Sequence, residues 1–128
     1  MNITDFKVGQ TVYLKTITHL YNCWKNEIIF EAVVSKVGRK YITVKKDSLE
    51  YQFIIDEDFR QKTVYSIEFE LFLSERDIRD YWQSAYLRHE ISNVLAKNGK
   101  ELPLRSLMAA ATALHIPIFY EDGGASNG

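Results

Sequence analysis

"SKVGRKYITVKK", residues 35–46, holds five cationic side chains, one tyrosine and no acid. It joins two runs rich in β-branched and aromatic residues, "IIFEAVVSKV" (28–37) and "KYITVKK" (40–46), with only Gly38-Arg39 between them. Such runs read as strands, and a two-residue connection with glycine first predicts a type II′ turn, because glycine accepts positive φ without a Cβ clash. The register then follows. Val37 faces Lys40, Lys36 faces Tyr41, Ser35 faces Ile42, Val34 faces Thr43 and Val33 faces Val44. Side chains alternate across a sheet, so Val33, Ser35, Val37, Ile42 and Val44 turn inward. Lys36, Tyr41, Thr43 and Lys45 turn outward, with Arg39 at the tip.

The same period of two continues on both sides. "TVYLKTIT" (11–18), "LEYQFII" (49–55) and "TVYSIEFELFL" (63–73) complete five strands. In the last, Tyr65, Ile67, Phe69, Leu71 and Leu73 share a face. Five short strands in so little chain predict a curled sheet or small barrel. "HLYNCWKNE" (19–27) has no period and reads as a long loop,. After Ser74 the period becomes helical. Ser74 with Asp77 resembles a capping box, and Ile78, Tyr81, Trp82, Ala85, Ile91, Val94 and Leu95 recur at helix spacing until Asn98-Gly99 stops it,. Pro103 opens a shorter helix striped with Leu104, Leu107, Met108, Ala111 and Leu114, ended by Pro117,. The fold class is therefore α+β: a small antiparallel barrel over residues 1–73, a two-helix appendage over 74–116 packed on it, and a C-terminal tail, 117–128. Phe30, Ala32 and Val34 fall on the outer face of the hairpin in this register, and the helix from Glu75 to Lys97 is expected to cover them.

The chain has 128 residues, 46% hydrophobic and 26% charged, the balance of an ordinary globular domain,. A domain of this size buries somewhat over ~60% of its extended-chain surface, enough for a core without staples. The single cysteine, Cys23, excludes an internal disulfide and fits a reducing compartment,. "MNITDFKVGQ" has no apolar signal region and no run is long enough to span a membrane, so the expected location is the cytoplasm,. A net charge of −1 excludes wholesale wrapping of nucleic acid. Residues 1–62 nevertheless carry ten Lys/Arg against eight Asp/Glu, and residues 63–128 six against nine, so any electrostatic steering is local,.

Two readings of the basic hairpin stand side by side. Cations flanking an aromatic suit a nucleic-acid strand, with bases stacked on the ring and cations tracking phosphates. Lysines on turns and strand edges are equally ordinary solubility devices. Elsewhere the chemistry is thin. His19 and Cys23 fall short of the four ligands of a structural zinc site, with His89 and His115 on separate helices,. "DED" at 56–58 reads as a solvated turn before a cation site,. Tyr81, Trp82 and Tyr86 have the spacing of packing residues,. Neither a glycine-rich phosphate loop nor a nucleophile elbow is present, so no enzyme activity, cofactor or metal is expected.

"FKVGQTVYL", "VSKVGRKYITV", "YQF", "LFLSERDIRDYW" and the closing "LPLRSLMAAATAL" together resemble small SH3-like β-barrel proteins of bacteria and their phages, over roughly residues 3 to 116. "HLYNCWKNEIIFE" departs from that pattern. The resemblance implies an SH3-like barrel with two helices and carries over no catalytic residue. It also implies a non-catalytic, host-directed binding module, such as an inhibitor docking on a bacterial nucleoprotein, for example a CRISPR effector. Direct nucleic-acid binding by the hairpin is the alternative. The expected partner is thus a host protein or nucleoprotein, with nucleic acid next and no membrane; oligomeric state stays open. Contact candidates are Lys36, Arg39, Lys40, Tyr41 and Lys45 on the hairpin, and Tyr21 and Trp24 in the long loop, since aromatic and arginine anchors are common hot spots.

Overall fold

The computed structural model describes residues 1–18 and 26–119. Six strands form one antiparallel sheet: β1 (Thr11–Thr16), β2 (Ile29–Val37), β3 (Tyr41–Lys46), β4 (Leu49–Ile54), β5 (Arg60–Gln61) and β6 (Phe69–Phe72). Their order is β5-β4-β3-β2-β1-β6, so the sheet curls into a nearly closed barrel whose seam lies between β5 and β6. Two helices follow, α1 (Glu75–Asn98) and α2 (Leu104–Ala113). The small antiparallel barrel followed by two C-terminal helices is thus present. Contacts divide the chain into one unit from Met1 to His89 and another from Glu90 to Gly128.

The hairpin of β2 and β3 forms in a different register from the one its sequence predicts. The partners are Val33↔Lys45, Val34↔Val44, Lys36↔Thr43 and Val37↔Ile42, with the ladder slipping between Val34 and Lys36. Ser35 is the extra residue of a β-bulge, its hydroxyl oxygen within donating distance of the Thr43 carbonyl at 3.3 Å and of Glu50 Oε2 at 3.1 Å, which share its one proton,. A bulge lets two residues three apart face the same way, and so Val34 and Val37 both turn inward. Ala32, Val34, Ile42 and Val44 are buried in the core and Val37 packs against it. Val33, expected inside, is exposed. Phe30, Ala32 and Val34 accordingly belong to the barrel interior and need no helix over them. The turn is also displaced. Gly38 N donates to the Tyr41 carbonyl at 2.9 Å, leaving Arg39 and Lys40 at the tip. Gly38 does not have positive φ; what favours glycine is proximity, since a Cβ there would stand 3.3 Å from the Tyr41 oxygen. The compact two-residue turn comes one hairpin later, between Lys46 and Leu49, where Asp47 takes φ 57.

Residues 63–73 do not form one strand. Only Phe69–Phe72 pairs with β1, and Val64 and Tyr65 stand 91% and 86% exposed. The chain instead doubles back earlier. Asp58 and Phe59 adopt left-handed φ of 53 and 61, which turns the buried Phe59 ring onto Phe6 at 5.2 Å and starts β5. Gln61 then spans the seam. Its buried side-chain oxygen accepts from the backbone N–H of Glu68 at 2.8 Å and of Phe69 at 3.0 Å, doing for β6 what a neighbouring strand would.

Helix α1 starts where its sequence predicts, with Asp77 N donating to the Ser74 hydroxyl at 3.1 Å. Its first turns hold to the barrel through the fully buried Ile78 and through Tyr81, whose ring meets Phe72 at 5.9 Å. No described helix is long and apolar enough to cross a membrane.

Candidate functional site

Residues of the outer face follow directly from the ladder. Lys36, Thr43 and Gln52 lie in one row across β2, β3 and β4, and Tyr41, Ile54 and Arg60 in the next across β3, β4 and β5. Lys62 N donates to the Gln52 carbonyl at 2.8 Å, which extends β5 past its last ladder pair and brings Lys62 beside Tyr41, its ammonium 4.6 Å from the ring centroid. Lys36, Gly38, Arg39, Lys40, Tyr41, Thr43 and Gln52 line a shallow concavity of about 310 Å³. No carboxylate among the described residues lines it. Among the described residues none forms an ion pair with Lys36, Arg39, Lys40 or Lys62, whereas Arg60 is held by Glu57 at 3.6 Å.

The bulge at Ser35 makes this grouping possible, because it keeps Lys36 outward opposite Thr43 while Val37 turns in. Ammonium and guanidinium groups only donate hydrogen bonds. Four of them, none ion-paired among the described residues, stand near one aromatic ring and two neutral polar side chains and concentrate positive charge on this face,. The structure brings Lys36, Arg39, Lys40 and Tyr41 together. It sets Lys45 apart, in a separate concavity lined by Glu31 and Asp47 among others. Lys46 is occupied, its ammonium 4.2 Å from the Phe30 ring centroid and 3.2 Å from Asp47. Tyr21 and Trp24 lie outside the described residues, as do His19 and Cys23. The sequence reading missed Lys62, which no period marks because it follows a strand of two residues.

A second charged cluster sits under α1, on the side of β1 opposite the core. Lys15, fully buried, places Nζ 3.1 Å from Glu27 Oε1 and 3.1 Å from Glu70 Oε1, and donates to the Thr16 carbonyl at 3.3 Å. Glu27 in turn accepts from Trp82 Nε1 at 2.7 Å and from Thr18 N at 3.1 Å. The Tyr81 ring stands over Lys15 with its centroid 4.8 Å from Nζ. Burial by itself lowers the pKa of the ammonium; the hydrogen bond to Glu27 and the charge of Glu70 outweigh it, so Lys15 titrates above its ordinary 10.5,. With the Lys15 ammonium and the Glu27 carboxylate buried and Glu70 partly open to solvent, this group ties the first turns of α1 to the barrel. The alternating reading of "TVYLKTIT" places Lys15 opposite Leu14 and so outward, but periodicity carries no sign of what covers it.

The acidic run Asp56–Glu57–Asp58 forms an exposed turn before β5. Among the described residues no group of three or more His, Cys, Asp or Glu side chains is placed to hold a metal ion.

The family model of the phage ProQ C-terminal-like domain matches residues 1–121 of this chain, which makes it a small domain of phage type. No curated protein and no solved structure matches it.

Proposed function

The chain belongs to the phage ProQ C-terminal-like domain family, and from that premise we propose that it is a non-catalytic module that binds nucleic acid through the basic outer face of β2–β5. The observation that carries this reading is the clustering of Lys36, Arg39, Lys40 and Lys62 around Tyr41, with no acid among the described residues that line the concavity. Cations positioned by strands track a phosphate backbone, and a tyrosine between them offers a stacking surface to unpaired bases. Thr43 and Gln52 add neutral polar atoms on the floor. Such a face favours single strands over duplex, whose bases already stack on one another.

Fluorescence anisotropy with labelled single-stranded RNA, single-stranded DNA and duplex oligonucleotides tests it. The combined variant Lys36→Glu, Arg39→Glu and Lys40→Glu, all exposed, is expected to keep the fold and lose at least about tenfold in affinity, the loss of ~1.4 kcal/mol. Equal binding by variant and wild type removes the proposal.

A second reading, docking on a host nucleoprotein such as a CRISPR effector and inhibiting it, is favoured by one observation. Tyr65 and Val64 project almost bare from the loop between β5 and β6, and exposed tyrosine is a frequent interface anchor. A partner recovered from nuclease-treated bacterial lysate and lost on Tyr65→Ala, with no affinity for free nucleic acid, would select that reading.

A further inference from the structure

We infer that Thr43 and Gln52 read the edge of one unpaired nucleobase stacked on Tyr41, so that the basic face distinguishes bases as well as binding phosphates. This subsite deepens the nucleic-acid reading above and depends on it. Lys62 N donates to the Gln52 carbonyl, which places Lys62 at the end of the row Lys36, Thr43, Gln52. Strands about 4.8 Å apart set the two lysines of that row about 14 Å from each other, with the two neutral side chains between them. Tyr41 lies on the same face of β3, two residues from Thr43 and so about 7 Å along the strand. It bounds the row on one side, and the Lys62 ammonium lies over its ring, 4.6 Å from the centroid.

Two observations mark the floor between the lysines as a ligand site. Thr43 is 6% exposed, yet its hydroxyl has no hydrogen-bond partner among the described residues; the bond from Ser35 goes to its carbonyl. Buried polar groups are nearly always hydrogen-bonded, and one left without a partner is costly. The side-chain amide of Gln52, half-buried and directly across the ladder from Thr43, has no partner among the described residues either. Together they present a hydroxyl that donates and accepts, two amide protons and an amide oxygen. A phosphodiester only accepts, and the neighbouring cations serve it better. A base edge sets donors and acceptors side by side, and a glutamine amide meets such an edge through two bonds. The second observation is the place of Lys62. The end of an exposed lysine chain fills the space over the Tyr41 ring. A planar base enters that space when the ammonium moves to a phosphate, exchanging a cation–π contact for stacking and an ion pair.

Fluorescence anisotropy with labelled oligo(dA), oligo(dC) and oligo(dT) of about 12 nucleotides tests it. Wild type is expected to bind the favoured homopolymer at least about fivefold tighter than the least favoured, the lower bound for one good base contact. The double variant Thr43→Val, Gln52→Leu should weaken the favoured one and bring all three within about twofold of one another. Its slope of log affinity against log salt should keep the wild-type value, because no cation is changed. Thr43→Val alone removes a hydroxyl that has no partner in the free protein, so its melting temperature should be no lower than that of wild type; loss of a structural hydrogen bond would lower it. Equal affinity for the three homopolymers in wild type, a preference unchanged in the double variant, or a lower melting temperature for Thr43→Val would overturn the inference. Equal affinities with a steep salt slope would leave phosphate binding standing, whereas no binding to any of the three would remove both readings.

Discussion

Replacing Lys15 by methionine probes the joint between barrel and helix more sharply than any surface change. The wild-type ammonium spends its three protons on Glu27, Glu70 and the Thr16 carbonyl, at 3.1, 3.1 and 3.3 Å. Methionine fills much of the same volume but leaves the Glu27 carboxylate, 2% exposed at its side chain, without a cation. Among the described residues Glu27 keeps the Trp82 and Thr18 N–H donors. Breaking a buried pair from one side costs about 3–5 kcal/mol, because a charge is left buried and unpaired. Against a total stability of about 5–15 kcal/mol this is a large fraction. At a few degrees per kcal/mol, the melting temperature should fall by roughly 10–20 °C. Urea unfolding at neutral pH, followed by circular dichroism and tryptophan fluorescence, measures it. The double variant Lys15→Met, Glu27→Gln removes the orphaned charge and keeps an acceptor for Trp82, so it should recover most of the loss. A cost below about 1 kcal/mol for Lys15→Met, or no recovery in the double variant, would refute the view that a buried charge pair makes this joint.

The same clamp fixes an alkaline limit. Because Lys15 titrates above 10.5 in the folded chain, its contribution is complete below that pH and is lost as pH rises through the folded-state value; stability against pH should fall there in wild type and stay flatter in Lys15→Met. Gln61→Leu strands the N–H groups of Glu68 and Phe69 at the barrel seam. A cost of about 1–3 kcal/mol is expected, with faster hydrogen exchange at those two amides. Gly38→Ala should cost less than about 1 kcal/mol, since only a 3.3 Å approach to the Tyr41 carbonyl opposes it,. A larger loss in thermal denaturation would indicate the positive φ that a type II′ turn needs.

Residues 35–46 show what a sequence can and cannot disclose. That Ile42 and Val44 point inward while Tyr41 and Thr43 point outward follows from alternation along one strand. The partner strand's register does not, because a bulge is a relation between two strands, and nothing in "VVSKV" says that Ser35 is skipped. The helix boundaries at Ser74, Asn98-Gly99 and Pro103 were legible because capping and stop signals are local. Tyr65 and Ile67 alternate as a strand would, yet the seam is closed by Gln61, whose glutamine side chain carries no periodic mark. Lys15 and Lys62 were invisible as functional or structural residues for a shared reason: their roles depend on which distant element lies over or beside them, Tyr81 for one and Tyr41 for the other.

The salt dependence of binding to a single-stranded oligonucleotide tests the central claim most directly. If Lys36, Arg39, Lys40 and Lys62 each neutralise one phosphate, log affinity against log salt should fall with a slope of about −3, from about −0.7 per contact. Lys36→Glu, Arg39→Glu, Lys40→Glu should flatten it to about −0.7 or less, leaving Lys62 alone. A slope near zero in wild type, or an unchanged slope in the variant, would contradict the account.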